Sequence, residues 1–301
     1  AYFGNQRVIK ADRYIDYDFA PGNYRDQLKE NLRRGQYVTN YGQIALRRGN
    51  TNFSTSFSRD TDRGILPLLN GFRRNNLRLN LDQGLWKGAD MSAALTYGLS
   101  NDDQTPTSKA GSGSTFFTLL QSPPDVDLTY PNGPGTTKYS PVLPAAATGG
   151  TGRGNPLYDL AYRSYNLRRE RIIGSFSARY RPVQWLNIDG SYGTDRLNLR
   201  ESNFYDRGLL GTNTSVETPS PGSLGLTTDN NTASNTQANV TTNFQLGELR
   251  STTRFTYLYE DERNYHFATS TSKLLVGSVP DLQAGDPTQL TANSTIEPIR
   301  T

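Results

Sequence analysis

Arginine is the residue type in this chain best suited to hold something. Arg78, Arg171, Arg179 and Arg254 each sit in a run where apolar and polar side chains alternate, and each falls on the polar parity; Arg250 joins them, with Asp82, Asp189 and Glu260 as counter-charges. A guanidinium keeps its charge and presents its donors as a planar fork, so such residues can bridge neighbouring strands or hold a solute. These four are the candidate substrate-binding residues, and nothing in their spacing identifies the substrate. A second candidate set is aromatic. Tyr158, Tyr162 and Tyr165, with Tyr130 and Tyr139 before them, lie in a long loop, where they can stack on sugar rings or line a lid; packing of the loop on itself is the competing role.

Other chemistry finds little support. Gly149 to Gly154 is glycine-rich but lacks the Gly-Lys-Ser/Thr ending and the strand-to-helix setting of a phosphate loop. Asp60/Asp62 and Asp125/Asp127 are spaced as in calcium loops, without the glycine and distant Glu that complete one. Glu201 with Asp206, and Glu260 to Glu262, are carboxylates without the fixed, desolvated setting that acid catalysis needs. The single histidine, His266, between Tyr265 and Phe267, reads as a rim residue and excludes a His-pair metal motif, and the lack of cysteine excludes disulfides and thiolate sites. No catalytic residue, metal or cofactor is expected, and the chain is not read as an enzyme. Net charge is +4 with a pI near 9.2, yet the basic residues alternate with Asp, Glu and Asn instead of clustering, so no nucleic-acid partner is expected.

The elements that carry these residues read as long hairpins. Leu77, Leu79 and Leu81 alternate with Arg78, Asn80 and Asp82; after a turn at Trp86 to Asp90, Met91, Ala93, Leu95, Tyr97 and Leu99 alternate with Ser92, Thr96 and Ser100. The same grammar recurs three times: from Tyr37 through Gly49-Asn50-Thr51 to Ser58; from Arg171 through Pro182 to Trp185 to Gly193; and from Ala238 through Gly247-Glu248 to Glu260. Runs of about ten alternating residues match the ~9–11 that cross a bilayer as tilted strand. Mean hydropathy is −0.68 and no window approaches the ~20 apolar residues of a spanning helix, so any membrane placement is through strands.

Between hairpins lie long Pro-, Gly- and Ser-rich connections, about 101–168 and 205–233; Thr115 to Leu120 forms a helical turn in the first. Residues 1–36 form a pre-strand segment: residues 1–22 are weakly patterned, with Tyr14 to Phe19 able to form a short strand, and a surface helix follows from about Tyr24 to Arg34, capped by Asn23 and ended by Gly35. Lys273 to Gly277 could start another strand. Ala1 to Arg7 has no signal-peptide pattern, so a trimmed or internal piece is expected.

The expected fold is therefore all-β: an antiparallel transmembrane β-barrel segment over residues 37–301, with about eight strands of a larger barrel, short periplasmic turns and long extracellular loops. Trp86 and Trp185 at short turns, and Tyr97, Tyr192, Tyr257 and Tyr259 toward the loops, make two aromatic girdles. Leu79, Leu95, Phe176, Ile188 and Phe255 should face lipid; Arg78, Thr96, Arg179, Asp189 and Arg254 should face the lumen. A soluble β-sandwich adhesin or carbohydrate-binding protein would use the same aromatics as core.

Asn52 to Ser58, Gly64-Ile65-Leu66, Arg73 to Asp82, Asn155-Pro156-Leu157, Arg171 to Gly174, Trp185 to Ile188 and Gly193-Thr194-Asp195 together resemble the barrel of the SusC/RagA-type TonB-dependent outer-membrane transporters, from roughly Tyr24 to Ala284. The resemblance implies a plugged barrel of about 22 strands in the outer membrane, importing a nutrient such as an oligosaccharide or peptide. It further implies outer-membrane lipids around it, a SusD-type surface lipoprotein over the long loops, and TonB acting through a plug domain that this chain lacks. A passive porin is the alternative within the membrane class.

Overall fold

The computed structural model describes residues 6–9, 15–18, 25–104, 115–122, 124, 127–129, 139, 155–208 and 220–300. Two four-residue strands, β1 (Gln6–Ile9) and β2 (Ile15–Asp18), pair antiparallel near the N-terminus. The short helix α1 spans Gln27–Asn31, only the middle of the expected Tyr24–Arg34 helix. Its actual cap is Asp26, whose carboxylate accepts from the Lys29 N–H at 3.1 Å, and an extended Leu32 ends it before Gly35. Asn23 and Tyr24 lie outside the described residues.

The body of the chain is a single antiparallel sheet. It runs through β3 (Tyr37–Arg48), β4 (Thr51–Asp62), β5 (Phe72–Trp86) and β6 (Ala89–Gln104). The helices α2 (Thr115–Leu120) and α3 (Pro156–Tyr162) come next. Then follow β7 (Arg163–Val183), β8 (Leu186–Tyr205), β9 (Ser223–Leu246), β10 (Leu249–Ser272) and β11 (Thr291–Arg300). Each strand pairs with its sequence neighbour, giving a 9-stranded meander with β3 and β11 at its edges. All four expected hairpins are present, and the sheet gains β11 beyond the eight expected strands.

The hairpin turns are two residues each, at Gly49-Asn50, Lys87-Gly88, Gln184-Trp185 and Gly247-Glu248. Gly49, Gly88 and Gly247 adopt φ of +58°, +80° and +61°, the left-handed region that tight hairpins require and glycine enters freely. At the other end the connections are longer but less irregular than the sequence suggests. The first runs from 105 to 162 and holds two helices, α3 having Asn155 as cap and Pro156 in its first turn, a favoured pairing at helix starts. The second shrinks to 206–222, because β9 already begins at Ser223: the polar run from Thr227 to Thr236 pairs on both sides, with β8 and β10, so backbone hydrogen bonds hold it where no apolar alternation marks it. Lys273 to Gly277 does not form a strand; only Leu274 makes an isolated bridge, to Gly285.

Register decides which side chains share a face, since directly opposed residues point the same way. Leu79 opposes Leu95, Phe176 opposes both Ala93 and Tyr192, and Ile188 and Phe255 both oppose Val240. On the other face Arg78 opposes Ser56 and Thr96, Arg179 opposes Asp90 and Asp189, and Arg254 opposes Thr241. The two sets expected from parity therefore lie on opposite faces. The apolar face is bare: Ile44, Leu46, Phe57, Leu95, Phe176, Tyr192, Phe255 and Tyr257 are all exposed. A sandwich would bury that face against a second sheet, and the described residues contain no such layer.

Among the described residues, hydrophobic cores form only at the long-loop end. One unites Leu119 of α2, Leu128, and Leu157 and Leu160 of α3, with Leu28 and Leu32 of the α1 region and Leu66 and Leu69 of the β4–β5 loop packed against it. A second joins Phe204, Leu224 and Leu274, with Leu226 and Leu282. The Arg33 guanidinium ties the first together, donating to the carbonyls of Leu69 at 2.7 Å, Gly64 and Pro67 at 3.3 Å, and also Arg63.

Candidate functional site

The polar face is concave. A cavity of about 690 Å³ is lined by residues from seven successive strands, from Arg47 on β3 to Asn239 on β9. Only a sheet curled toward this face brings such distant strands around one space. Its walls carry Asn52, Asp82, Asp90, Ser92, Ser177, Arg179, Asp189 and Ser191, alongside the turn residues Gly49 and Asn50. Ser92 and Ser177 share a hydrogen bond at 2.7 Å across β6 and β7. A second concavity of about 430 Å³ lies farther along the strands, between Ser175, Asp195, Asn235, Glu260 and Glu262. Wetted hydroxyls, amides and paired charges suit a polar solute path.

The four candidate arginines all lie on this face, but the structure does not gather them into one site. Arg179 lines the larger cavity between Asp90 and Asp189. Arg171 reaches the second through a forked pair with Asp195, whose Nε–Oδ1 arm is 2.9 Å. Arg254 donates to the Thr241 hydroxyl at 3.4 Å, and Arg78 stands between Ser56 and Thr96; neither lines these two cavities. The arrangement is a spread of fixed charges along a wall.

The tyrosines are corrected more sharply. Tyr158 is fully buried in α3 and packs on Tyr162, with ring centroids 4.4 Å apart, so it has no face left for a sugar ring. Burial pushes the Tyr162 hydroxyl above the usual phenol range, helped by neighbouring Tyr158 and Asp206. Tyr165 belongs to β7, opposite Gln104 and Asn203, not to a loop. Tyr130 lies outside the described residues, and Tyr139 packs against the first loop core.

Around these rings sits a charged cluster of which sequence reading singled out only Asp206, expected there to be neither fixed nor desolvated and here found buried and hydrogen-bonded. Arg163 stacks over the Tyr205 ring at 4.4 Å and approaches Asp159 at 3.3 Å. Burial raises the Asp159 carboxyl above its ordinary range, and the attraction of Arg163 opposes this. Asp206, also buried, accepts from Ser278 through N–H (2.6 Å) and hydroxyl (2.9 Å), pinning the β10–β11 loop to the end of β8. The signal available in sequence was the i, i+4 spacing of Asp159 and Arg163. Of the other flagged groups, His266 contacts Asp229 at 2.5 Å on the polar face, and Asp127 pairs with Arg25 at 3.1 Å. Among the described residues, no group of three His, Cys, Asp or Glu could hold a metal ion.

The apolar face has the complementary layout. At the short-turn end Trp86 meets Tyr180 edge-on at 6.2 Å, and Trp185 stacks on Phe244 at 4.9 Å. From there apolar side chains continue to Phe57, Leu77, Ile172, Tyr192 and Tyr259 before polar residues take over. On β10 this stretch, Leu249 to Tyr259, is about eleven residues, close to the ~9–11 of a tilted membrane strand.

No family model and no curated protein matches the sequence. Solved structures do. The chain superposes on the RagAB peptide importer in its closed-closed state with a TM-score of 0.69 and 16% identity, over 92% of this chain and 30% of that one. A structure of the RagAB peptide transporter matches with a TM-score of 0.69 and 16% identity, covering 91% and 30%. The open-open state of the importer gives 0.66 and 17%, again over 91% and 30%. At such identities the likeness is one of fold. The chain spans about 30% of the length of the solved chains it matches.

Proposed function

We propose that this chain is a strip of barrel wall from an outer-membrane, TonB-dependent importer of the SusC/RagA type, carrying an oligomeric nutrient such as a peptide or oligosaccharide. One observation carries the reading: across the hairpins, register puts an exposed apolar band, about eleven residues long on β10, on the convex side and a polar, charged surface on the concave side. In lipid such a wall must close, because each unpaired backbone group there costs several kcal/mol. The likeness in fold to a peptide importer supports transport as the role and peptides as the first solute to try. Two-residue turns at one end and packed loops at the other fit periplasmic and outer sides respectively.

A surface lipoprotein of the SusD type is proposed over the loops. Ile65, Leu68, Phe116 and Leu120 stay exposed on the loop assembly beside its own core, as do Leu275 and Val276 on the β10–β11 connection. TonB would act through a plug domain elsewhere in the parent protein.

The test is uptake by cells carrying the full-length gene. Labelled peptides and oligosaccharides of several lengths should accumulate only with the gene present, and accumulation should stop when the proton gradient is collapsed. Uptake that continues undiminished would favour a passive porin instead.

A further inference from the structure

Beyond the solute path, the outer surface of the wall carries arginines in a regular position. On the apolar face, the last apolar residue of the band is followed by Arg59 two positions past Phe57 on β4. Arg73 lies four past Leu77 on β5, Arg168 four past Ile172 on β7, Arg196 four past Tyr192 on β8, and Arg263 four past Tyr259 on β10. Five strands thus place their first outward arginine two to four residues beyond their own apolar run; by register Arg196 lies opposite Ile172, and Arg168 opposite Arg200. Four residues rise about 9 Å along the membrane normal at ~3.3 Å each and ~45° tilt. The headgroup layer is about 5–7 Å thick on each side, and an arginine can lean several ångströms back along the wall to reach it.

Most of these charges have no ion-pair partner, although Arg200 donates to the Asn198 side-chain oxygen at 3.2 Å. Arg263 pairs with Asp261 at 3.0 Å. Among the described residues, Arg59, Arg73, Arg168, Arg196 and Arg200 form no ion pair. Arg168 and Arg200 stand directly opposite one another on β7 and β8, a like-charge cross-strand pair that is unfavourable unless an anion joins them. Glu170, the outward carboxylate beside them, is engaged by the Tyr97 hydroxyl at 3.1 Å.

We infer that this outward arginine belt docks phosphorylated lipid headgroups of the surrounding leaflet, with Arg168, Arg196 and Arg200 as its strongest point. Guanidinium forks match phosphate oxygens in pairs, and a phosphate between Arg168 and Arg200 relieves their repulsion. Continuity with the apolar band selects a lipid as the source of the phosphate, since acyl chains below and headgroup above would be met by one strip of wall. The inference rests on the membrane placement proposed above and not on transport.

The experiment uses the full-length protein in neutral detergent micelles, with bound lipid counted by native mass spectrometry during titration. The probes are diphosphorylated lipid A, the same lipid after enzymatic removal of its phosphates, and phosphatidylcholine. The expected result is at least tenfold preference for the phosphorylated form. R168Q/R196Q/R200Q should lose that preference while keeping the heat-dependent gel shift of a folded barrel, and R168K/R196K/R200K should keep much of it. Equal binding of phosphorylated and dephosphorylated lipid by the unmodified protein would overturn the belt while leaving membrane placement intact. A protein that binds none of the three and stays monodisperse without detergent would overturn both.

Discussion

Arg33 shows how much one side chain can organise at the loop end. Its guanidinium meets four carbonyls of the β4–β5 connection, those of Arg63, Gly64, Pro67 and Leu69, which no ammonium could span. R33K should therefore loosen that loop by about 1.5–3 kcal/mol, the range for a charged hydrogen bond. Amide exchange over residues 64–70 should quicken while the strands stay protected; unchanged exchange there would count against this role. Asp159 gives a pH signature. Its folded pKa is raised by burial, with Arg163 opposing. A carboxyl raised above its unfolded value of ~3.9 contributes stability that is complete below that pH and lost as pH rises through the folded pKa. Protection of the α3 amides, corrected for intrinsic exchange, should thus decline over the interval just above pH ~4 and then level off. D159N should be flat across it and better protected at neutral pH; a variant less protected than the parent would refute the assignment. The arginines of the concave face were legible from parity alone, because period two is all that facing requires. Tyr158 was not: its burial depends on a seven-residue helix whose only local marks are Asn155 and Pro156 within a Pro- and Gly-rich stretch.

Among the elements, turns were easier to read than long strands. Glycine and a short polar pair announced the hairpins, and at Lys87-Gly88 geometry makes the residue choice strict. Gly88 has φ of +80°, and a Cβ there would lie 2.4 Å from the Arg181 carbonyl oxygen, part of the backbone that pairs this turn with β7. Neither the torsion nor the neighbouring backbone can yield cheaply. G88A should cost about 1–3 kcal/mol and lower the temperature at which the full-length barrel loses its compact gel mobility, whereas G247A, whose Cβ would meet nothing within 4 Å, should cost less. Equal effects would show that torsion alone, and not contact with β7, governs these turns. The outer half of β9 was hidden for the opposite reason. Beyond Leu224 and Leu226, residues 227–236 carry Thr and Asn on both faces, so no hydrophobic period exists there, and the strand is fixed by pairing with β8 and β10 on either side. Sequence patterning reports burial or lipid contact, and a strand that leaves the apolar band while keeping its partners becomes invisible to it.

At the scale of the molecule, facing and closure make the strongest demands. Spin labels at Leu79, Leu95, Phe176, Ile188 and Phe255 of the full-length protein should sense an apolar setting. Labels at Arg78, Thr96, Arg179, Asp189 and Arg254 should sense water, since register places the two sets on opposite faces. Indistinguishable signals would contradict a membrane wall. Closure is the harder requirement. In the described sheet β3 and β11 each pair on one side only, and every residue of β3 is exposed. A strand of twelve residues with Val38, Ile44 and Leu46 on its apolar face offers a row of free donors and acceptors next to greasy side chains, the combination that drives edge-to-edge association. In a complete barrel these edges would meet further strands, and the solved chains of like fold are more than three times as long. Residues 1–301 expressed alone should therefore refold into detergent as heterogeneous oligomers, with no discrete conductance in planar bilayers. Supplying the remaining strands in cis should restore a single heat-modifiable species. Uniform, stable pores from the isolated segment would mean that nine strands can close on themselves, and the wall would have to be redrawn as a small self-contained barrel.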